Sequence, residues 1–445
     1  MDVSKSLPGG TIGNVSATEG VPYPSPLSGW TVVCLLLLAY SISLVDRQIL
    51  SLLVEPVKAD LGITDTQLSL LVGFAFVIFY STLGLFFGRM ADRSNRRNMV
   101  LGGMMLWSAA TIGCGLASNF YELFIARMLV GIGEATLTPA AYSLIADYFP
   151  KERRARAVSV YTMGVCMGLG AAFMFGGAVV AATSGATTVN LPIFGTVRSW
   201  KAAFLIVGVP GIIVSLLMLL VKEPVRREVD TLKSSLGDLV AFVKQNRVLI
   251  TCLLLGFGIN GMINGCLTSW VPTLFIREFG WTAGQIGGVF GLIELTVGPA
   301  GVLAGGWWVS RAHARRKETI TFRTFRLAFF VMPVCLLVLG VVHNEVLAIA
   351  ALCVIAFAIG VGFTLVPVAV YEVAPNQFRA QLIALYLVIS TLLAFAVGVT
   401  LIAAVTDYVF GNPAAIGKSM ALVLTALPLA GAYCFHKVTA IRVNA

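Results

Sequence analysis

An all-α membrane protein of twelve transmembrane helices, set in two pseudo-symmetric six-helix bundles, is predicted by three observations. The first is composition. Of 445 residues, 58% are hydrophobic and only 12% are charged, against about 25% charged in ordinary soluble domains, and the mean hydropathy is +0.90. The second is the recurrence of apolar runs of about 20 residues, the length a bilayer core requires of a helix. The third is an internal alignment at an offset of 218 residues, which places Leu61-Gly62-Ile63-Thr64-Asp65-Thr66-Gln67 on Phe279-Gly280-Trp281-Thr282-Ala283-Gly284-Gln285 and Gly88 on Gly306.

The spans are expected over 29–56, 67–90, 97–117, 120–146, 155–182, 201–221, 248–276, 284–309, 322–342, 346–373, 378–405 and 416–436. Around them the chain divides into a disordered cytoplasmic tail (1–28), an N-terminal bundle (29–222), a cytoplasmic linker (223–247), a C-terminal bundle (248–438) and a short tail (439–445). The first tail is rich in Gly, Ser, Thr and Pro and lacks the layout of a cleaved signal, so span 1 is expected to act as an uncleaved one. In the linker, Leu232, Leu236, Leu239, Val240 and Val243 repeat at helical spacing among Lys233, Asp238 and Lys244. That pattern suits a helix on the cytoplasmic membrane surface, or a plain connector.

A net charge of +10 invites comparison with nucleic-acid binders, but the basic residues are sorted by side. With a cytoplasmic amino terminus, 24 of the 31 Lys and Arg face the cytoplasm; only Lys58, Arg198, Lys201, Arg277 and Lys418 face outward, and Arg47 and Arg127 lie inside spans. The positive-inside rule then puts both termini in the cytoplasm, and no nucleic-acid partner is expected. All eight cysteines fall within spans and none forms a CxxC pair, so neither a disulfide nor a metal site is expected. His313, His343 and His436 lie in loops or at helix ends, which argues against a histidine proton relay.

Four ionisable residues, Asp46, Arg47, Arg127 and Glu134, interrupt otherwise apolar spans. Each charge at the centre of a membrane helix costs about 2.5–3.5 kcal/mol on insertion scales, so pairing, protonation or water must relieve it. The internal offset carries Asp46 onto Asn264 and Arg47 onto Gly265, and span 10, the counterpart of span 4, is free of ionisable residues from Ala351 to Thr364. These charges therefore belong to the first half alone. Arg127 and Glu134 share one face of span 4 but lie about 10 Å apart in depth. Asp46 is expected to meet Arg127 at similar depth, while Arg47, turned about 100° from Asp46, faces a cavity or Glu134. An acid beside an arginine stays ionised, and one stripped of its partner in a low-dielectric cavity takes up a proton. Asp46 and Glu134 are thus the expected proton carriers, with Arg47 and Arg127 as counter-charges and anchors for an anionic head group.

Elsewhere, Glu294 in span 8 is a further embedded acid, and Asn260 and Asn264 in span 7 either line a cavity or join helices. Phe357, Phe363 and Phe395 suggest an apolar cavity wall in the second half. The span 5 glycines Gly164, Gly168, Gly170, Gly176 and Gly177 suit close helix packing. An enzyme is not expected: HExxH, GxSxG, phosphate-binding loops and cysteine–histidine clusters are all missing, and no cofactor is called for. Two repeated halves with a central site are the pattern of secondary transporters.

The loop Gly88-Arg89-Met90-Ala91-Asp92-Arg93-Ser94-Asn95-Arg96-Arg97 closely resembles the signature between spans 2 and 3 of the major facilitator superfamily. Arg127 with Gly131 and Gly133, Asp147-Tyr148-Phe149-Pro150 followed by Arg154, and Trp200-Lys201-Ala202-Ala203-Phe204 add to the resemblance. The second-half copy has Ser310 where the first has Asp92. The resemblance implies the major facilitator fold, alternating access, and a cytoplasmic gate in which Asp92 engages Arg93 or Arg154, with Arg96 beside it. Within the superfamily, Ser43-Leu44-Val45-Asp46-Arg47, Asp60-Leu61-Gly62-Ile63 and the Arg127 to Glu134 stretch look like the Spinster family, in a bacterial member, with Ser43 where Asn is usual. That resemblance implies a proton-coupled transporter of a bacterial inner membrane; the family's export of lysophospholipids or sphingosine phosphates in animals makes a lipid-like anion of that type the expected substrate. A proton symporter of small organic acids is the alternative, because related anion symporters share an Asp-Arg pair in span 1. A channel or membrane enzyme stands further back. Protons, a small-molecule or lipid substrate and membrane lipids are the expected partners, and the chain is expected to act as a monomer.

Overall fold

The computed structural model describes residues 22–91, 93–183, 188–192, 194–226, 236–313 and 320–443. Most of the amino-terminal tail, Asp92, and Leu232 and Lys233 of the linker lie outside the described residues. Among those described, twelve helices are long and apolar enough to cross a membrane. They are α1 (Pro26–Leu52), α2 (Asp65–Gly84), α3 (Arg96–Leu116), α4 (Phe120–Tyr148), α5 (Arg156–Thr183), α6 (Ser199–Leu220), α7 (Arg247–Phe279), α8 (Ala283–Arg311), α9 (Ile320–Val341), α10 (Glu345–Val373), α11 (Gln381–Phe410) and α12 (Pro413–Arg442). Twelve crossings return the chain to the side it began on, so both termini share one face.

The repeat is visible in matching caps. Gly62 and Gly280 both adopt left-handed backbone, with φ of 65° and 69°, a conformation that glycine reaches without strain. Two residues on, Thr64 and Gln67 exchange hydrogen bonds of 3.0 and 3.1 Å between side chain and backbone. Thr282 and Gln285 repeat the exchange at 2.8 and 3.2 Å. Each is a capping box that starts the second helix of its half.

Proline sets an early boundary. Span 1 was expected to run to about residue 56, but α1 stops at Leu52 and a separate short helix covers Val54–Leu61. Pro56 lacks an N–H and its ring opposes the carbonyl four residues back, at Leu52. The short helix carries Glu55, Lys58 and Asp60 to the face away from the termini. An antiparallel hairpin, β1 (Thr188–Leu191) with β2 (Gly195–Arg198), leads into α6 on that face. Arg198 pairs with Asp60 at 2.7 Å, and the buried Trp200 indole donates to the same carboxylate across 2.7 Å. In the connecting segment a helix spans Leu236–Gln245, and its Phe242 stacks on Phe378 with centroids 5.0 Å apart.

The halves meet through α5 with α8, α2 with α11, and α1 with α7. Helix α5 serves two partners through its glycines. A Cβ at Gly168 would lie 2.7 Å from Leu44 of α1, whereas one at Gly170 would lie 2.6 Å from the Gly291 carbonyl of α8. Small residues here let backbones touch, and Phe173 packs on Phe290 with centroids 4.7 Å apart. Helix α2 meets α11 where a Cβ at Gly73 would come within 1.9 Å of the Phe395 carbonyl. Charges tie the halves on the face away from the termini. Arg277 at the end of α7 contacts Glu55 at 2.7 Å and Asp65 at 2.7 and 2.8 Å, Lys58 joins the same Asp65, and Asp407 of α11 accepts from the Thr66 N–H and hydroxyl at 2.7 and 2.6 Å.

Candidate functional site

Helices α1 and α4 supply the four embedded charges. Asp46, Arg127 and Glu134 are buried, and the Arg47 side chain retains only 13% of its accessibility. The Arg47 guanidinium donates to Glu134 Oε2 across 2.6 Å. Its carbon lies 4.4 Å from the Phe76 ring centroid and 5.0 Å from that of Tyr80, both on α2, so the cation is held by a carboxylate and by two aromatic faces. Phe76 is shared, because the Arg127 guanidinium carbon is 5.9 Å from the same ring. Gly131 makes this possible: a Cβ there would lie 2.5 Å from the Phe76 carbonyl, and backbone contact between α2 and α4 brings the ring beside both arginines.

Arg127 does not pair with the Asp46 carboxylate as expected. It donates instead to the backbone carbonyls of Asp46, at 3.0 Å, and Leu71, at 3.3 Å. Leu71 lies in a π-helical turn, Leu70–Phe74, within α2. Such a turn shifts the carbonyls out of α-helical register and leaves acceptors for a neighbour. The guanidinium, wedged between two backbones, takes those acceptors. The Asp46 side chain turns toward α3, beside the Thr111 hydroxyl, and neither of its oxygens makes a well-formed hydrogen bond. Glu134 Oε1, Arg47 Nε and Arg127 Nη2 are likewise buried without a hydrogen-bond partner. The site therefore holds two cations and two acids with spare donors and acceptors.

Glu134 ends a helical segment. The α-helix from Phe120 stops at Glu134 and resumes at Leu137, with the Thr136 hydroxyl donating to the Gly133 carbonyl at 2.8 Å. Pro139 is the cause, since it cannot donate to the carbonyl of Ala135 and its ring crowds that carbonyl. Neither this break nor the role of Phe76 and Tyr80 was anticipated from the sequence. Pro139 was the available signal for the first, and for the second there was none, since aromatic residues are common in apolar spans.

The remaining candidates are dispersed. Asn260 is fully buried in α7 against α10, where a Cβ at Gly362 would lie 2.6 Å from its Oδ1, and its amide has no hydrogen-bond partner. Asn264 is half-buried one turn along. Glu294 is half-buried in α8, next to Leu295, which packs on Gly170 of α5 at the junction of the halves. Phe357 departs from expectation: it lines a groove on the outside of α8, α9 and α10. Near the terminal face, Arg93 is exposed, and Arg154 donates to the Ala146 carbonyl at 2.8 Å. Arg96 is fully buried, bonding Asp147, the Ser143 hydroxyl at 3.0 Å and Glu223 at 2.7 Å. These contacts of Arg96 and Arg154 stay within the first half and its exit segment.

Residues 36–432 match the family model of the Major Facilitator Superfamily. The chain belongs to the Major Facilitator Superfamily. This membrane transporter is 27% identical to an MFS-type efflux pump of Mycolicibacterium smegmatis across 94% of each chain. It is 27% identical to human protein spinster homolog 1 over 62% of its own length and 54% of that protein's, spanning about half of the human chain. It is also 27% identical to the hexuronate transporter of Bacillus subtilis, covering 62% of its own length and 63% of that protein's. Its fold matches the crystal structure of a bacterial homolog of the human lysosomal transporter Spinster in an inward-facing, unoccupied conformation. The TM-score is 0.77 and the identity 24%, over 94% of this chain and 96% of the other.

Proposed function

We propose that this superfamily member is a proton-coupled secondary active transporter, working by alternating access on an amphipathic, lipid-like anion. The observation that carries the reading is the Arg47–Glu134 pair beside the Asp46 carboxyl, whose oxygens are buried without a hydrogen bond. An isolated buried carboxylate costs far more than a neutral acid, so Asp46 is the group that holds a proton in this conformation. Glu134 has Arg47 as its counter-charge. Rocking of the halves changes the water access of both acids and exchanges their protons.

Arg47 and Arg127 each keep an unbonded N–H, which suits a phosphate or carboxylate head group. Glu294, Asn260 and Asn264 are the polar groups offered by the second half. With basic residues on the cytoplasmic side, the sealed face bearing Arg277 is the outer one, and the protein, in a bacterial inner membrane, faces inward. Asp92, Arg93, Arg96 and Arg154 then form the cytoplasmic gate, closing in the opposite state. A second reading, symport of small organic acids, draws on the likeness to the hexuronate transporter and uses the same arginines.

In proteoliposomes with an imposed pH gradient, Asp46→Asn and Glu134→Gln should abolish the gradient's stimulation of uptake. Unchanged stimulation in both would sink the proposal. Competition by lysophospholipids rather than hexuronates separates the two substrate classes.

A further inference from the structure

On the lipid-facing side of the second half, two hollows adjoin. One is a groove of about 380 Å³ between α8, α9 and α10, lined almost wholly by apolar side chains that include Trp307, Leu327, Val331, Phe357 and Val361. The other lies between α9 and α12 near the terminal face and is lined by Arg323, Arg326, Phe330, Tyr433 and His436. Leu327 belongs to both, so an apolar slot running along the bilayer opens into a basic hollow at its edge.

The chemistry of the basic hollow is one-sided. Arg326 Nη1 lies 3.0 Å from His436 Nδ1, which orients the guanidinium without neutralising it. Arg311 sits over the Trp307 ring at 5.5 Å and Lys437 over Tyr433 at 5.1 Å. Among the described residues, none of Arg311, Arg323, Arg326 and Lys437 forms an ion pair with a carboxylate. Cations at a membrane interface, flanked by Trp and Tyr and lacking internal counter-ions, are the arrangement that recognises anionic lipid head groups.

We propose that this surface is a binding site for one anionic diacyl phospholipid of the surrounding bilayer. Arg323 and Arg326 hold the phosphate, and an acyl chain lies in the groove against Trp307 and Phe357. The site is separate from the embedded charges of α1 and α4 and does not depend on the transported substrate.

The test uses the full chain in lipid nanodiscs with phospholipids brominated along the acyl chain, reading quenching of tryptophan fluorescence. Brominated phosphatidylglycerol should quench more strongly than brominated phosphatidylcholine at equal mole fraction, and Trp307→Phe with Trp308→Phe should remove that difference. Arg323→Gln with Arg326→Gln should weaken the preference about thirtyfold, at about 1 kcal/mol per basic residue, and the Lys replacements should restore it. Equal quenching by the two lipids, or an unchanged preference in the Gln variant, overturns the proposal. So does loss of the preference in millimolar inorganic phosphate, which would mark a free-anion site.

Discussion

At Arg47 the cost of embedding a charge is met by the Glu134 carboxylate of α4, 2.6 Å away, and by two aromatic rings of α2. Removing one member of a buried pair is worse than removing both, because the survivor is left charged and alone, at about 3–5 kcal/mol. Arg47→Met should therefore lower the melting temperature in detergent more than Arg47→Met with Glu134→Gln does. Additive losses would show that the pair is not coupled. At this scale the sequence was informative about who and silent about with whom. Hydropathy alone flagged Asp46, Arg47, Arg127 and Glu134, because a charge in an apolar run is costly wherever it points. The choice of Arg127 for carbonyls instead of the Asp46 carboxylate followed from where the backbones of α1 and α2 came to rest.

Among the helices, irregularities do the positioning. The π turn of α2 at Leu70–Phe74 offers a carbonyl to Arg127 and contains Gly73, which touches Phe395 in a second π turn, Leu392–Gly398, on α11. The gap in α4 follows directly on Glu134, the last residue of its helical segment. Pro139→Ala supplies the missing N–H and lets the helix run on. A proline inside a helix costs about 3 kcal/mol, so the variant should melt higher while its pH-driven uptake falls, as Glu134 swings out of line with Arg47. Unaltered uptake would mean that the break is structural only. Pro56 and Pro139 were legible as breakers, whereas π turns have no comparable signature, since they depend on packing against another helix.

For the molecule as a whole, the halves are joined by the glycine contacts of α5 with α8 and α2 with α11, and on the face away from the termini by the Arg277 cluster. Charge-assisted hydrogen bonds contribute about 1.5–3 kcal/mol each, and Arg277 makes three with Glu55 and Asp65. Arg277→Ala should therefore shift the balance between conformations by about tenfold or more toward the state open on that face. Spin labels at Asn119 and Lys418, on the same face of opposite halves, should then show a longer-distance population. A distribution identical to that of the unsubstituted protein would show that the glycine contacts alone hold the face shut.

The sequence by itself determined the membrane class, the twelve spans, the duplication and the one-sided charges. These depend on local hydrophobicity and on residue-by-residue repetition, which need no partner to be read. Tertiary structure alone decided the pairing of Arg47 with Glu134, the turn of the Asp46 carboxyl toward α3 and away from Arg127, the placement of Phe357 in an outer groove, and the meeting of Arg277 with Glu55 and Asp65. Each of these depends on how near two helices approach, and that distance is set by glycines and helix breaks whose effects appear only when the neighbouring helix is in place.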